Sequence, residues 1–220
     1  MNHRWLTIIV TTFLAVIVFL FFWMRLQPVW EPESDSEETT ALNQQTTATP
    51  TVTFVNPKKG AAEPKVTVVL FSDFQCQPCK DMADNLDVLL RTVPEVQVVW
   101  KDMPNESAHE LSVPAAIAAR CADDQGKFWE YHDMLFDRQV LLDESMLVTI
   151  ASEVGLDTTK FQTCLDNQDP LPLVRKDYEE AVALAVTATP TIFIGKDRTT
   201  GLLSADEIIA AVNKQLSTEE

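Results

Sequence analysis

The chain's hydrophobic pattern changes character several times, and each change predicts an element. Residues 6–24, LTIIVTTFLAVIVFLFFWM, are apolar on every side and carry no charge. As a helix such a run spans roughly 28 Å, close to the hydrocarbon thickness of about 30 Å. It ends FFWMRLQ and lacks the small residues of a signal-peptide cleavage site, so the reading is an uncleaved transmembrane helix within residues 1–30. Residues 31–50, EPESDSEETTALNQQTTATP, have almost no large apolar side chains. Such a segment cannot offset its ordering entropy and predicts a disordered acidic linker.

Alternation and β-branching begin beyond it. TVTFV (51–55) predicts a short strand, and VTVVLF (66–71) a central strand buried on both faces. Met82, Leu86, Leu89 and Leu90 then recur at helical spacing, and VQVVWK (96–101) predicts a second strand. Strand, helix and strand in that order predict a parallel crossover. From about 108 to 187 helical patterns dominate, broken near Gly126, Gly155 and Pro170–Pro172. The β signal returns at TIFI (191–194), and Ser204-x-x-Glu207 is a capping box opening an amphipathic helix through Leu216. The fold class is α/β, one domain over 51–220 with a helical insertion, preceded by the anchor and a flexible linker.

Composition narrows the function classes. A chain of 220 residues has room for one anchor and one ordinary domain. A formal net charge of -16 excludes a nucleic-acid binder, which needs a basic footprint. The same balance gives no attraction to anionic lipid, so membrane attachment falls to the apolar helix. Arg4 and Arg25 flank that helix evenly, and the positive-inside count is a tie. The short N-terminal tail and the cysteine chemistry place the N-terminus in the cytoplasm and the domain outside, periplasmic or on the outer face.

Candidate chemistry is concentrated in FSDFQCQPCK (71–80), between the central strand and the helix. At a helix N-terminus, unpaired N–H groups and the helix dipole stabilise a thiolate at Cys76. Cys79 lies on the same side one turn on, where it can resolve a mixed disulfide. Pro78 suits a first helical turn, and Lys80 adds positive charge nearby. Two other readings stand beside the redox one. A zinc site needs two more ligands, whereas Cys121 and Cys164 stand alone and His109 and His132 form no paired motif. A structural bridge across so small a loop constrains the unfolded chain little. The redox reading ranks first, and neither metal nor cofactor is expected. Asp73, three residues before Cys76, is a candidate proton relay with Lys101 as its partner; the alternative is a strand-end charge in water. Phe128, Tyr131 and Phe136 follow helical spacing and read as core.

Four stretches together, FSDFQCQPCK (71–80), AAIAARCADDQGKFWEYHDMLF (115–136), FQTCLD (161–166) and ATPTIFIG (188–195), resemble the DsbA-like thioredoxin-fold thiol–disulfide oxidoreductases, in particular their membrane-anchored bacterial branch. The resemblance covers about residues 51–220. It implies a thioredoxin fold interrupted by a helical domain, with Cys76 attacking and Cys79 resolving. It implies that Pro190 is the cis-proline beside the cysteines and that the Thr189 backbone pairs with an extended substrate. Gln77-Pro78 departs from the C-P-H-C pattern of strong oxidants, which leaves reductase or isomerase roles open. The implied function is a membrane-tethered enzyme forming disulfides in exported proteins, re-oxidised by a quinone-linked partner of the DsbB or vitamin K epoxide reductase type. The reading from another class is a tethered peptide-binding or chaperone module with inert cysteines. Cys121 and Cys164, both in the helical block, are a candidate structural disulfide in an oxidising compartment, against two buried free thiols.

Overall fold

Two β-branched runs form the centre of the sheet. In the computed structural model, which describes residues 49–218 and the positions 16, 17, 19, 20 and 23, Val66–Ser72 (β2) and Val96–Asp102 (β3) lie side by side in parallel. Their register sets Phe71 opposite Lys101 and Ser72 opposite Asp102. Helix Gln77–Thr92 (α1) connects them and buries Cys79, Met82, Leu86 and Leu89, a stripe at spacings of three and four. Thr191–Ile194 (β4) pairs antiparallel with the other side of β2, with Thr191 opposite Phe71. Short edges complete the sheet: Lys58–Gly60 (β1) on β3 and Asp197–Thr200 (β5) on β4, in the order β1-β3-β2-β4-β5.

The edges differ from the sequence reading. The strand expected over 51–55 does not form; Thr53 N donates instead to the Asn56 side chain at 2.8 Å, closing a turn, and β1 starts at Lys58. Gly60, at φ +110°, is required there, since a Cβ would lie 2.4 Å from the Val96 carbonyl oxygen. Strand β5 carries the exposed sequence DRTT and gives no hydrophobic signal.

Between β3 and β4 run α2 (Ser112–Asp123), α3 (Phe128–Asp137), a 3-10 turn (Gln139–Leu141), α4 (Glu144–Glu153), α5 (Thr158–Asn167) and α6 (Leu171–Ala183). Gly126 and Gly155 fall between helices, and Pro170 precedes α6, where the sequence breaks had put them. The final helix α7 (Ala205–Thr218) opens with its capping box: Ser204 N and Oγ donate to Glu207 Oε2 at 2.9 and 2.7 Å. Because both faces of β2 and β3 are apolar, both are covered. Leu70, Phe74 and Trp100 join the core shared with α1, α7 and the insertion. Val69, Phe71, Val99 and Phe193 meet Ala181 and Leu184 at the end of α6.

A buried charge cluster fastens β3 to α2 and α6. Arg120 Nε donates to Asp102 Oδ2 at 2.6 Å, Nη2 to Asp177 Oδ2 at 2.5 Å and Nη1 to the Val55 carbonyl at 2.9 Å. Lys101 Nζ donates to Asp177 Oδ1 at 2.9 Å and Glu180 Oε2 at 2.7 Å. Every member thus has a partner, without which burying charge is prohibitive.

The chain divides into two units, Met1–Gln45 and Thr46–Glu220. The described positions of the first, Val16, Ile17, Phe19, Leu20 and Trp23, are helical and exposed. The rest of the expected membrane helix, and the expected linker as far as residue 48, lie outside the described residues. Among the described residues no helix is long and apolar enough to cross a membrane.

Candidate active site

The site is built where β2 ends and α1 begins. The Asp73 carbonyl accepts from Cys76 N at 3.2 Å, turning the chain, and Cys76 takes the extended N-cap conformation before Gln77 starts the helix. Pro78 stands in the first turn, where its missing N–H costs nothing. The Cys76 carbonyl accepts from Cys79 N at 3.0 Å and Lys80 N at 3.4 Å. Cys76 and Cys79 are joined as a disulfide with Cα atoms 5.2 Å apart. Gln77 and Pro78 are exposed, Cys76 is 5% exposed and Cys79 is fully enclosed. Cys76 is therefore largely buried, and still the one residue of the pair that keeps any exposure.

The register of β2 with β4 brings a second segment alongside. The Thr189–Pro190 bond is cis, and the Thr189 carbonyl oxygen lies 3.5 Å from Cys76 Sγ. The bridged sulfur has no hydrogen, so this is a contact and not a hydrogen bond. Thr191 Oγ1 donates to the Ala188 carbonyl at 2.7 Å, and the Pro190 carbonyl accepts from Gly201 N at 2.8 Å, holding the turn from both ends.

Asp73 corrects the sequence reading twice. Its side chain is fully buried, not a charge in water, and its partner is not Lys101. Oδ1 accepts from Gln75 N at 2.8 Å; Oδ2 accepts from Asn105 N at 3.0 Å and His109 Nδ1 at 2.8 Å. Lys101 sits opposite Phe71, two residues short of Asp73, on the face that α6 covers, and there Asp177 and Glu180 take its ammonium. His109, which showed no motif in the sequence, is the residue the topology brings to Asp73. Lys80 is directed to Asp84 at 3.4 Å and Asp137 at 3.7 Å.

One further residue has no precedent in the sequence pattern. Gln139, in the 3-10 turn after α3, donates from Nε2 to the carbonyls of Phe74 at 2.8 Å and Cys76 at 2.9 Å. Only the burial of a polar residue in an otherwise exposed turn marks it, and that is visible only once the chain is folded. Behind the cysteine turn stands an aromatic wall. Phe74 stacks on Trp100 at 4.7 Å and tilts against Phe136 at 5.2 Å, with His132 edge-on at 5.6 Å. Burial pushes the His132 imidazole pKa below 6.5, against the raising effect of Asp133, whose Oδ1 lies 2.7 Å from Nδ1. Phe128, Tyr131 and Phe136 are buried here, and burial pushes the Tyr131 hydroxyl pKa up while it donates to the Leu147 carbonyl at 2.8 Å. Cys121 and Cys164 are bridged, Cα atoms 5.9 Å apart, joining α2 to α5. Among the described residues no group of three or more His, Cys, Asp or Glu side chains converges as a metal site.

The arrangement suits thiol–disulfide exchange: one cysteine at a helix N-terminus that keeps some exposure, one enclosed partner, and a backbone segment beside them. Comparison with known proteins agrees. The sequence profile of the family described as Thioredoxin matches residues 53–214. The chain is similar to Na(+)/H(+) antiporter NhaA 1 of Salinispora arenicola (strain CNS-205), 32% identical over 154 residues, which are 70% of this chain and 24% of that protein. It thus spans about a quarter of the length of that relative. Among solved structures it is similar to a thioredoxin-like oxidoreductase from Silicibacter pomeroyi DSS-3, with a TM-score of 0.65 and 28% identity over 75% of this chain and 94% of that one. Oxidised BdbD from Bacillus subtilis, 23% identical, shares the fold with a TM-score of 0.66 over 74% of this chain and 94% of its own.

Proposed function

Because the chain belongs to the thioredoxin family and is a thiol–disulfide oxidoreductase of the DsbA-like kind, we propose that it forms disulfides in exported proteins from a membrane tether. The observation that carries the reading is the Cys76–Cys79 bridge at the N-terminus of α1, with only Cys76 reaching solvent. A substrate thiolate attacks Cys76 Sγ; the Cys76–Cys79 bond breaks, and its electron pair leaves on Cys79 Sγ, which takes up a proton. A second substrate thiolate then attacks the substrate sulfur of the mixed disulfide and releases Cys76 as thiolate. Two electrons pass from substrate to enzyme, and the substrate keeps the disulfide. The N–H groups opening α1 favour the released thiolate, which makes the bridge an oxidant. The backbone at Thr189, within contact of Cys76 Sγ, offers an extended substrate a strand to pair with.

In this reading the apolar run over 6–24 is the tether and the acidic stretch from residue 31 to residue 48 its linker, while the short N-terminal tail and the cysteine chemistry favour a domain outside the cytoplasm. Likeness to part of a Na(+)/H(+) antiporter, an activity that needs a membrane, supports a thioredoxin domain working at a membrane. Re-oxidation then falls to a quinone-linked membrane oxidase of the DsbB or vitamin K epoxide reductase type. Gln77-Pro78 favours a second reading, a reductase or isomerase, since no histidine stands between the cysteines to stabilise the thiolate further.

Oxidation of a reduced, cysteine-containing unfolded protein by the purified enzyme tests the proposal. Cys76→Ala and Cys79→Ala each abolish turnover, since neither holds a bridge to pass on; offered a disulfide-containing protein instead, the Cys76 thiolate of Cys79→Ala displaces one sulfur of that bond and accumulates the mixed disulfide. Full oxidation by Cys76→Ala sinks the assignment. A glutathione titration settles direction: a value toward about -120 mV marks an oxidase, and one near thioredoxin's about -270 mV a reductase.

A further inference from the structure

The turn after α3 is divided against itself. Val140 and Leu141 are 84% and 65% exposed, whereas Gln139 beside them is 8% exposed. A glutamine is polar and costly to order, so its burial in a solvent-facing turn requires partners that hold it. Those partners are backbone carbonyls of the cysteine turn, Phe74 at 2.8 Å and Cys76 at 2.9 Å. One amide group from a segment 63 residues away thus grips the N-cap residue of α1.

We infer that Gln139 is a positioning residue that stabilises the Cys76 thiolate and thereby sets the balance between the dithiol and disulfide forms. The inference rests on the reading of Cys76 as the exchanging sulfur. In the bridged form the Cys76 carbonyl accepts from Gln139 Nε2 and from the N–H groups of Cys79 and Lys80. Pro78 has no N–H, so Gln77, Cys79 and Lys80 supply the first amide donors of α1. When two glutathione thiols reduce the bridge, yielding glutathione disulfide, the charge on Cys76 Sγ calls on those same donors. With Gln139 fastened to the carbonyl, they can turn toward sulfur without leaving a buried oxygen unpaired. The amide hydrogens also draw negative charge off the carbonyl adjoining the thiolate. The opposing influence is visible: the Thr189 carbonyl oxygen, 3.5 Å from Cys76 Sγ, repels a thiolate. Gln139 supplies donors on the carbonyl side of the same residue.

The test uses the full chain in glutathione buffers, with thiol trapping read on the peptide that carries Cys76 and Cys79, and thiolate absorbance of the reduced protein followed against pH. In Gln139→Leu, similar in bulk and without donors, the equilibrium moves roughly tenfold toward the disulfide, about 30 mV less oxidising for this two-electron couple. The thiolate appears at higher pH. Gln139→Glu, which offers the two carbonyls at most one donor when protonated and none when ionised, moves both readouts the same way, and Val140→Ser moves neither. A Gln139→Leu or Gln139→Glu protein that unfolds cooperatively yet matches the parent in equilibrium constant and thiolate titration overturns the inference, as does destabilisation with neither readout moved. A parent that fails to exchange with glutathione at all overturns the reading of the cysteine pair, a distinguishable result.

Discussion

His132 is the residue whose environment most constrains its chemistry. Its ring centroid lies 4.9 Å from those of Trp100 and Phe136 and 5.0 Å from that of Trp129. Burial among these rings disfavours the imidazolium and pushes the pKa below 6.5; the adjacent Asp133 opposes but does not reverse this. In the unfolded chain the same histidine takes a proton near its ordinary value, so below that pH the unfolded state binds more protons than the folded one. The stability this group contributes is therefore complete above pH 6.5 and declines as pH falls through that value toward the lower folded pKa. His132→Phe, which keeps an aromatic ring in the wall, removes that slope. Urea unfolding at about pH 7.5 and about pH 5 checks it: the parent loses stability between the two, and the variant loses less. Comparing variant with parent matters, because Asp123 and Asp177 have pKa values raised by burial and titrate with the opposite sign. Equal losses in both proteins count against the argument.

At the scale of elements, the cluster around Arg120 decides how the insertion sits on the sheet. One guanidinium ties β3 through Asp102, α6 through Asp177 and the chain entering the domain through the Val55 carbonyl. Arg120→Met removes the shared cation and leaves the Asp102 and Asp177 carboxylates buried together, with Lys101 the remaining cation for Asp177. A broken buried pair of this kind costs about 3–5 kcal/mol, and a lowered denaturant midpoint measures it. Arg120→Lys recovers little, since a single ammonium cannot bridge three acceptors as a planar fork does. This clasp also marks the limit of what the sequence reveals. The central strands, the crossover helix and the capping box are written in local patterns, because burial on a sheet face or helix stripe is periodic. The edges β1 and β5 are short and largely solvent-facing, so they have no period to read. Cys76, Cys79 and Asp73 lie within one stretch and were legible as a group. His109 and Gln139 join them across separations of 36 and 63 residues, by topology alone. Lys101 was legible as a strand-end cation, but which carboxylate takes it depends on the face α6 covers.

For the molecule as a whole, the two bridges divide their work by position. Cys121–Cys164 joins α2 to α5 across a sequence separation of 43, with Cys121 buried, whereas the exchanging pair closes a separation of 3 at the edge of α1. A cross-link over the longer loop removes entropy from the unfolded chain corresponding to about 4 kcal/mol at 25 °C, a large share of the 5–15 kcal/mol that usually holds a protein folded. Net charge adds to the demand, since a chain at -16 repels itself more weakly once expanded and so favours loosening. Replacing Cys121 and Cys164 together with alanine should lower the denaturant midpoint by an amount corresponding to roughly 2–5 kcal/mol. Added salt should restore part of the loss by screening the acidic charge. The equilibrium of Cys76–Cys79 with glutathione should stay where it is, because the bonds that position Cys76 come from Asp73, Gln139 and α1 and none comes from α5. A double variant with parental stability would show that the second bridge constrains nothing the fold does not already hold. One whose active-site equilibrium moves with its stability would show that the insertion and the cysteine turn are coupled through more than Gln139.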